Sequence, residues 1–333
     1  MKSNIKSNMQ KKYITTDMAV ERITEWNTTE KSGENRENCY AVSEESINGF
    51  HIHRLTVTRP CAGITEAGKY ITVTLGQPWL EAANRTEKAA EAVAEIIREL
   101  CQTSVNGIEK IQKRTIPDRQ KKNSTKEPSC TSPVRSALIL CLGNAKITAD
   151  AVGPLCADGI IATRHLRNDR PDIWREIGEI DLSCITPGVS GNTGFDALEI
   201  AKATVKTAKP QVVIAIDALA ARDTARLGAS VQISDAGIAP GSGIGNRRAA
   251  ISEETLGVPV ISLGVPTVAH SVTLLRDALE RAGIREENAL LESALDVGRD
   301  LLVTPKDCDM AIASISDILA RAVNLAFLGF QRI

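Results

Sequence analysis

Aromatic residues are scarce in this chain: three tryptophans, three tyrosines and four phenylalanines amount to 3% of 333 residues. The core must therefore be built mainly from Val, Ile, Leu and Ala. An excess of charge of either sign is also missing, because 40 basic residues stand against 41 acidic ones. That balance offers no electrostatic footprint for nucleic acid or an anionic membrane. None of the eight cysteines forms a CxxC pair, and Cys141 lies in an apolar run, the setting of a buried reduced thiol. The N-terminal "MKSNIKSNMQKKY" is basic but has no apolar stretch of the kind a secretion signal carries. Apolar runs such as "VVIAI" are too short to span a bilayer, so a reducing, cytosolic setting is expected. There is also no GxSxG elbow, no HExxH, no P-loop and no Cys beside a His.

What is present is organised in two parts. The first dozen residues hold four lysines and no acid, as a detachable tail would. "DMAVERITEW" reads as a short amphipathic helix, and "FHIHRLTVT" and "KYITVTL" alternate with the period of paired strands. "WLEAANRTEKAAEAVAEIIRELCQ" is a helix by both spacing and propensity. Residues 102–133 are polar, basic and interrupted by prolines, which predicts a surface loop. Beyond it, "SALILCLG", "QVVIAIDAL" and "VPVISLGVP" are continuous apolar runs of the kind parallel strands need when both faces are covered. "AVGPLCADGIIATRHLR", "GFDALEIAKATVKTA" and "VAHSVTLLRDALERAG" supply the helices, with Thr193 as a cap before the second. The expected fold is a three-layer α/β/α sandwich, phosphorylase- or hydrolase-like, around a mostly parallel or mixed sheet. In such sheets ligands collect at the carboxyl ends of strands.

Two carboxylates belong at those ends. Asp150 follows the first run by a short loop, and Asp217 closes the second. Close carboxylates repel, so one keeps its proton while the other stays ionised, which permits acid and base roles. The alternative is that each caps a helix. Gly241, Gly243 and Gly245 make a tight loop without the GxGxxG spacing, either a structural turn or a ligand cradle, with Arg247 able to bind a carboxylate. His270 follows the third run as a surface residue, a proton carrier or a metal ligand. His51 and His53 share a strand face with no third ligand nearby in sequence.

"LGNAKITADAVGP", "ITPGVSGNTG", "VIAIDALAAR", "VQISDAGIAPGSGIGNRR", "LGVPVISLGVPTV" and the C-terminal "LLVTPKDCDMAIASISDILARAVNLA" occur in order. Together they resemble the germination protease family of spore-forming bacteria, which is similar in turn to the hydrogenase maturation endopeptidases. The resemblance implies an atypical aspartic-type endopeptidase that starts degradation of small acid-soluble spore proteins. It implies Asp150 and Asp217 as the catalytic pair, no cofactor, a homo-oligomer (a tetramer) and a place in the cytoplasm of the forespore and spore core. It also implies a zymogen that removes its own propeptide. "TTDMAVE" matches the family's preferred site, an acidic residue, a large apolar one, Ala and, two further on, Glu. The expected cut lies between Asp17 and Met18, giving a propeptide 1–17 and a single domain 18–333. Arg222 or Arg247 would clamp the acidic residue before the cut, and amides near Gly241 and Gly243 would stabilise the oxyanion. The alternatives are a metal-assisted peptidase using His270 and an inactive homologue that only binds spore proteins.

Overall fold

The computed structural model describes residues 16–29, 39–81, 83–115, 134–241, 249–283 and 301–329. Its centre is a mixed sheet in the order β1-β2-β3-β7-β8-β6-β4-β5, with β9 paired to one end of β8. The strands are β1 (Tyr40–Ile47), β2 (Phe50–Val57), β3 (Gly68–Thr74), β4 (Ser136–Cys141), β5 (Asp181–Ile185), β6 (Val212–Ala220), β7 (Ser230–Ser234), β8 (Val260–His270) and β9 (Leu302–Val303). Strands β5, β4, β6 and β8 are mutually parallel; β7, β3, β2 and β1 continue the sheet antiparallel. The three apolar runs singled out in the sequence are β4, β6 and β8, and the two alternating ones pair as β2 and β3.

Six helices matter for the site: α1 (Ala19–Thr29), α2 (Ala83–Thr115), α3 (Val152–Gly159), α4 (Ala197–Ala208), α5 (Ser271–Arg281) and α6 (Cys308–Leu328). One sheet face carries Ile139, Ile214, Ile216, Val231, Ile233, Ile261 and Leu263, packed with residues of α2 and α6 in the main core. The other face places Leu138, Leu140, Val213 and Ala215 against Ala197, Leu198 and Ala201 of α4. These are the three expected layers, with helices on both sides of a mixed sheet.

The structure corrects three local expectations. Helix α2 runs on to Thr115, so residues 102–115 are not loop; 116–133 lie outside the described residues. Val105 still packs on the core, and a single glycine such as Gly107 costs only about 1 kcal/mol in a helix. Helix α6 is long and apolar enough to cross a membrane by composition, but most of its apolar residues are buried in the core beside those of α2. The helix predicted from Ala151 to Arg167 stops at Gly159. A Cβ there would lie 2.7 Å from the Cβ of Ala320, and Ile160 turns extended. Finally, α4 is capped by Asp196 in a reciprocal box with Glu199, while Thr193 ends the preceding turn and accepts from the Phe195 amide.

Candidate active site

The loop that carries Asp150 is closed by backbone contacts. Leu142 extends β4 by one residue, donating its amide to Ile216 at 2.8 Å. Gly143 then takes φ +113°, and a Cβ on it would lie 2.1 Å from the carbonyl oxygen of Asp150. That carbonyl accepts from the Asn144 amide, and the Thr267 hydroxyl of β8 donates to the carbonyl of Ala149 at 2.7 Å. Gly153 is equally confined, since a Cβ would meet Leu142 O at 2.1 Å. Asp150 ends a 3-10 turn, Thr148–Asp150, and Ala151 holds the N-cap position of α3. Asp150 is therefore not the cap residue. It stands, half-buried, just past the carboxyl end of β4.

Asp217 lies within β6 and is 4% exposed; its Oδ1 accepts from the Ala218 amide at 3.0 Å. It too is no helix cap. It points to the same sheet face as Val213 and Ala215, because side chains alternate along a strand. β6 and β4 are adjacent and parallel, so both carboxylates stand near the same end of neighbouring strands. The register puts Asp217 beside Gly264 of β8, and Gly264 beside Gln232 of β7. Cross-strand neighbours share a face, so Asp217 and Gln232 flank a position with no side chain, two strand spacings or about 10 Å apart. Leu219 fills the space over Gly264, where a Cβ would come within 2.3 Å of its Cδ1.

This face is polar and yet buried: Thr72, Ser230, Gln232, Ser234, Ser262 and Asp217 are all 7% exposed or less. The strand alternation explains it, since Val231 and Ile233 turn to the main core and leave their polar neighbours on the opposite side. Part of the cover is the N-terminal segment. The Asp17 amide donates to Ala220 O at 2.9 Å, and the Ala220 amide donates to Asp17 Oδ2 at 2.9 Å. Gln232 spans the next peptide, its Nε2 donating to Asp17 O at 3.2 Å and its Oε1 accepting from the Ala19 amide at 2.7 Å. The Met18 amide donates to the Thr16 hydroxyl, which in turn donates to Glu21. The Met18 side chain is fully buried among Leu219, Ala221, Leu227 and Ala269. The Glu21 carboxylate accepts from the amides of Arg222 at 2.7 Å and Asp223 at 3.0 Å and lies 3.3 Å from Arg226 Nε.

The sequence model of the germination protease family matches residues 123–282. A germination protease of Caldanaerobacter subterraneus is 34% identical, the alignment covering 94% of both chains. The chain belongs to the germination protease family. The Bacillus subtilis germination protease is 32% identical over 94% of this chain and 93% of its own length. For the Clostridium perfringens germination protease the identity is 40%, over 58% of this chain and 66% of that protein, just under two thirds of its length. A solved NiFe hydrogenase maturation protease from Thermococcus kodakarensis aligns at TM-score 0.30 with 14% identity, over 58% of this chain and 95% of that one.

In this member of the germination protease family the other predicted residues are scattered. The Arg222 side chain binds Asp277, with Nη2 and Nε at 2.7 and 2.9 Å from Oδ1, and its backbone amide meets Glu21. Gly241 lies in a turn at φ +72°, and Gly243 and Arg247 lie outside the described residues. His270 ends β8, paired with Leu302. Among the described residues no three His, Cys, Asp or Glu side chains are grouped as a metal ion needs. A surface pocket of about 510 Å³ lined by Arg164, His165 and Arg167 sits by the start of β5, at the opposite end of the sheet from the carboxylates. Two of the described thiols are held away from the nucleophilic thiolate form. Cys141 is held well above the usual thiol range by its contact with Cys156 and by burial, and Cys184 is raised by Cys141 and by burial. Gln232 is the residue the sequence reading missed. Its signal was the alternation in "SVQIS", with polar residues recurring at every second position.

Proposed function

We propose that this chain is an endopeptidase, made as a zymogen that cuts itself between Asp17 and Met18 and then begins the degradation of small acid-soluble spore proteins during germination. Asp150 and Asp217 act as the general acid and base. The observation that carries this is the gathering of two carboxylates at the ends of adjacent parallel strands, on a sheet whose polar face also holds the Asp17–Met18 peptide. In the cut, one ionised carboxylate takes a proton from water as the water oxygen bonds to the carbonyl carbon. The other, carrying a proton, gives it to the departing nitrogen as the C–N bond breaks. Both groups then return to their starting states by exchanging a proton with solvent. A homotetramer in the spore-core cytoplasm belongs to the same proposal, supported by the family resemblance.

The test is incubation of the full chain at acidic pH, followed by mass spectrometry and by assay on isolated small acid-soluble spore proteins. The parent should release residues 1–17 and cut the spore proteins. Asp150→Asn and Asp217→Asn should each lose at least 10³-fold in both reactions, the scale on which removal of a catalytic group is felt. Full activity in either variant sinks the two-aspartate mechanism.

A further inference from the structure

Thr267 interrupts the pairing of β8 with β6. Pro266 pairs with Leu219 and Val268 with Ala220, so Thr267 is the extra residue of a β-bulge, with no partner across the ladder. It follows Ile261, Leu263 and Val265 in the strand alternation, residues of the main core, and is 2% exposed. A hydroxyl buried in that setting is costly unless it is bonded. Its bond goes to the Ala149 carbonyl at 2.7 Å. β6 lies between β4 and β8, so the chain that leaves β4 crosses the end of β6 before it meets Thr267. Two bonds fix that crossing. At its start the Leu142 amide donates to the carbonyl of Ile216, next to Asp217. At its finish the Thr267 hydroxyl donates to the carbonyl of Ala149, next to Asp150. The bonds from the Asn144 amide to the Asp150 carbonyl and from the Asp150 amide to the Ile147 carbonyl close the loop on itself. They shape the loop without placing it on the sheet.

We propose that Thr267 is a positioning residue for Asp150: its hydroxyl, aimed by the bulge, sets where the Asp150 loop stands relative to Asp217. The proposal rests on the protease reading, because it gives the tether a part in the reaction that the two aspartates carry out. Thr267 acts through the main chain one residue before Asp150 and touches no reacting atom. Without its hydroxyl the loop keeps its own closing bonds and shifts along the sheet end as a unit. A displacement near 1 Å at a reacting group costs on the order of 10²-fold in rate. The Asp17–Met18 peptide is held from β6 and β7 instead, by Ala220 and Gln232, so docking of the bond to be cut does not pass through the tether. Loss of the hydroxyl therefore lowers kcat and leaves KM in place.

Four variants of the full chain test this: Thr267→Val, Thr267→Ala, Thr267→Ser and, as a control for lost stability, Asn324→Leu. Asn324 holds the far end of α3, through the Gly159 carbonyl and the Ile161 amide. Each variant is assayed at a temperature where its denaturation curve shows it folded. Release of residues 1–17 and cleavage of isolated small acid-soluble spore proteins are timed, and amide exchange at Asn144 and Asp150 is followed at neutral pH. Thr267→Val and Thr267→Ala should lower kcat at least 10-fold with KM within 2-fold, and should speed both amides at least 10-fold. Thr267→Ser, which keeps the donor, should stay within 3-fold of the parent, and Asn324→Leu should keep kcat within 2-fold. The proposal is overturned by an unchanged kcat in Thr267→Val and Thr267→Ala, by a loss confined to KM, or by unchanged exchange. It is equally overturned if Thr267→Ser is as impaired as Thr267→Val, or if Asn324→Leu loses as much. A parent that cuts neither itself nor spore proteins, with exchange still faster in Thr267→Val, overturns the protease reading and leaves the tether standing.

Discussion

The carbonyl oxygen of Asp150 occupies the place where a side chain on Gly143 would begin. A Cβ there would sit 2.1 Å away, at a backbone φ of +113° that L side chains rarely adopt. Gly143→Ala must therefore push the Asp150 loop off the end of β4. The expected cost is roughly 1–3 kcal/mol of stability and at least about 10²-fold in turnover, because a displacement near 1 Å at a reacting group is felt on that scale. Gly191→Ala, at a position with open space around it, is the control and should match the parent. Chemical denaturation and the spore-protein assay read the two effects.

Asn324 of α6 ties the end of α3 to the core. Its Oδ1 accepts from the Ile161 amide at 3.0 Å and its Nδ2 donates to the Gly159 carbonyl at 2.9 Å, with 1% of the residue exposed. Asn324→Leu keeps the branched shape and orphans both backbone groups. Leaving each buried group without a partner costs about 1–3 kcal/mol, so urea midpoints should fall by an amount equivalent to roughly 2–6 kcal/mol. Asn324→Gln, which keeps the chemistry on a longer arm, should lose less.

A thiol-based mechanism would have shown an exposed thiol with a depressed pKa. Here burial lifts Cys101 to about 12, and Cys141 and Cys184 are raised as well. Iodoacetamide at pH 8 should leave these three unmodified in the folded chain, as judged by peptide mapping. Spore-protein cleavage should survive the treatment undiminished.

His53 is held below its ordinary value of 6.5, chiefly by burial. Glu44 pulls the other way, and Arg226 and His51 add to the lowering. Its Nδ1 is buried without a hydrogen-bond partner. The unfolded chain thus binds this proton more tightly than the fold does. The contribution is fully present above the unfolded value and is lost as pH falls below it. His53→Gln should flatten the fall in denaturation midpoint between pH 7 and about pH 5. A slope equal to the parent's would show that the titration lies elsewhere.

Much of the fold was readable because local signals agreed with it. The apolar runs at 136, 211 and 258 could be buried on both faces only as inner parallel strands, and Asp150 and Asp217 followed as strand-end carboxylates. What was hidden depended on distant partners. The alternation in "SVQIS" marks a polar face, but only the β7-β8-β6 register puts Gln232 in line with Asp217. Nothing near Glu21 in sequence announces that the amides of Arg222 and Asp223 will hold it. The polar composition of 102–115 suggested a loop, whereas the packing of α2 and its low intrinsic penalty for one glycine carried the helix through. Thr193 was expected to cap α4, whereas Asp196, three residues on, does so because Glu199 returns a reciprocal bond to its amide.

Met18 is fully buried, and its amide is satisfied by one hydroxyl, that of Thr16. A cut before it would turn that amide into an ammonium with three donors and a full charge, while the hydroxyl departs with the released piece. An unpaired ammonium does not stay in an apolar pocket, since its desolvation costs far more than the pocket returns. The new terminus would have to swing out or find a carboxylate, and the two ends would have no common place in which to rejoin. Under the proposed cleavage the docked segment would act as a latch that opens once and does not reset.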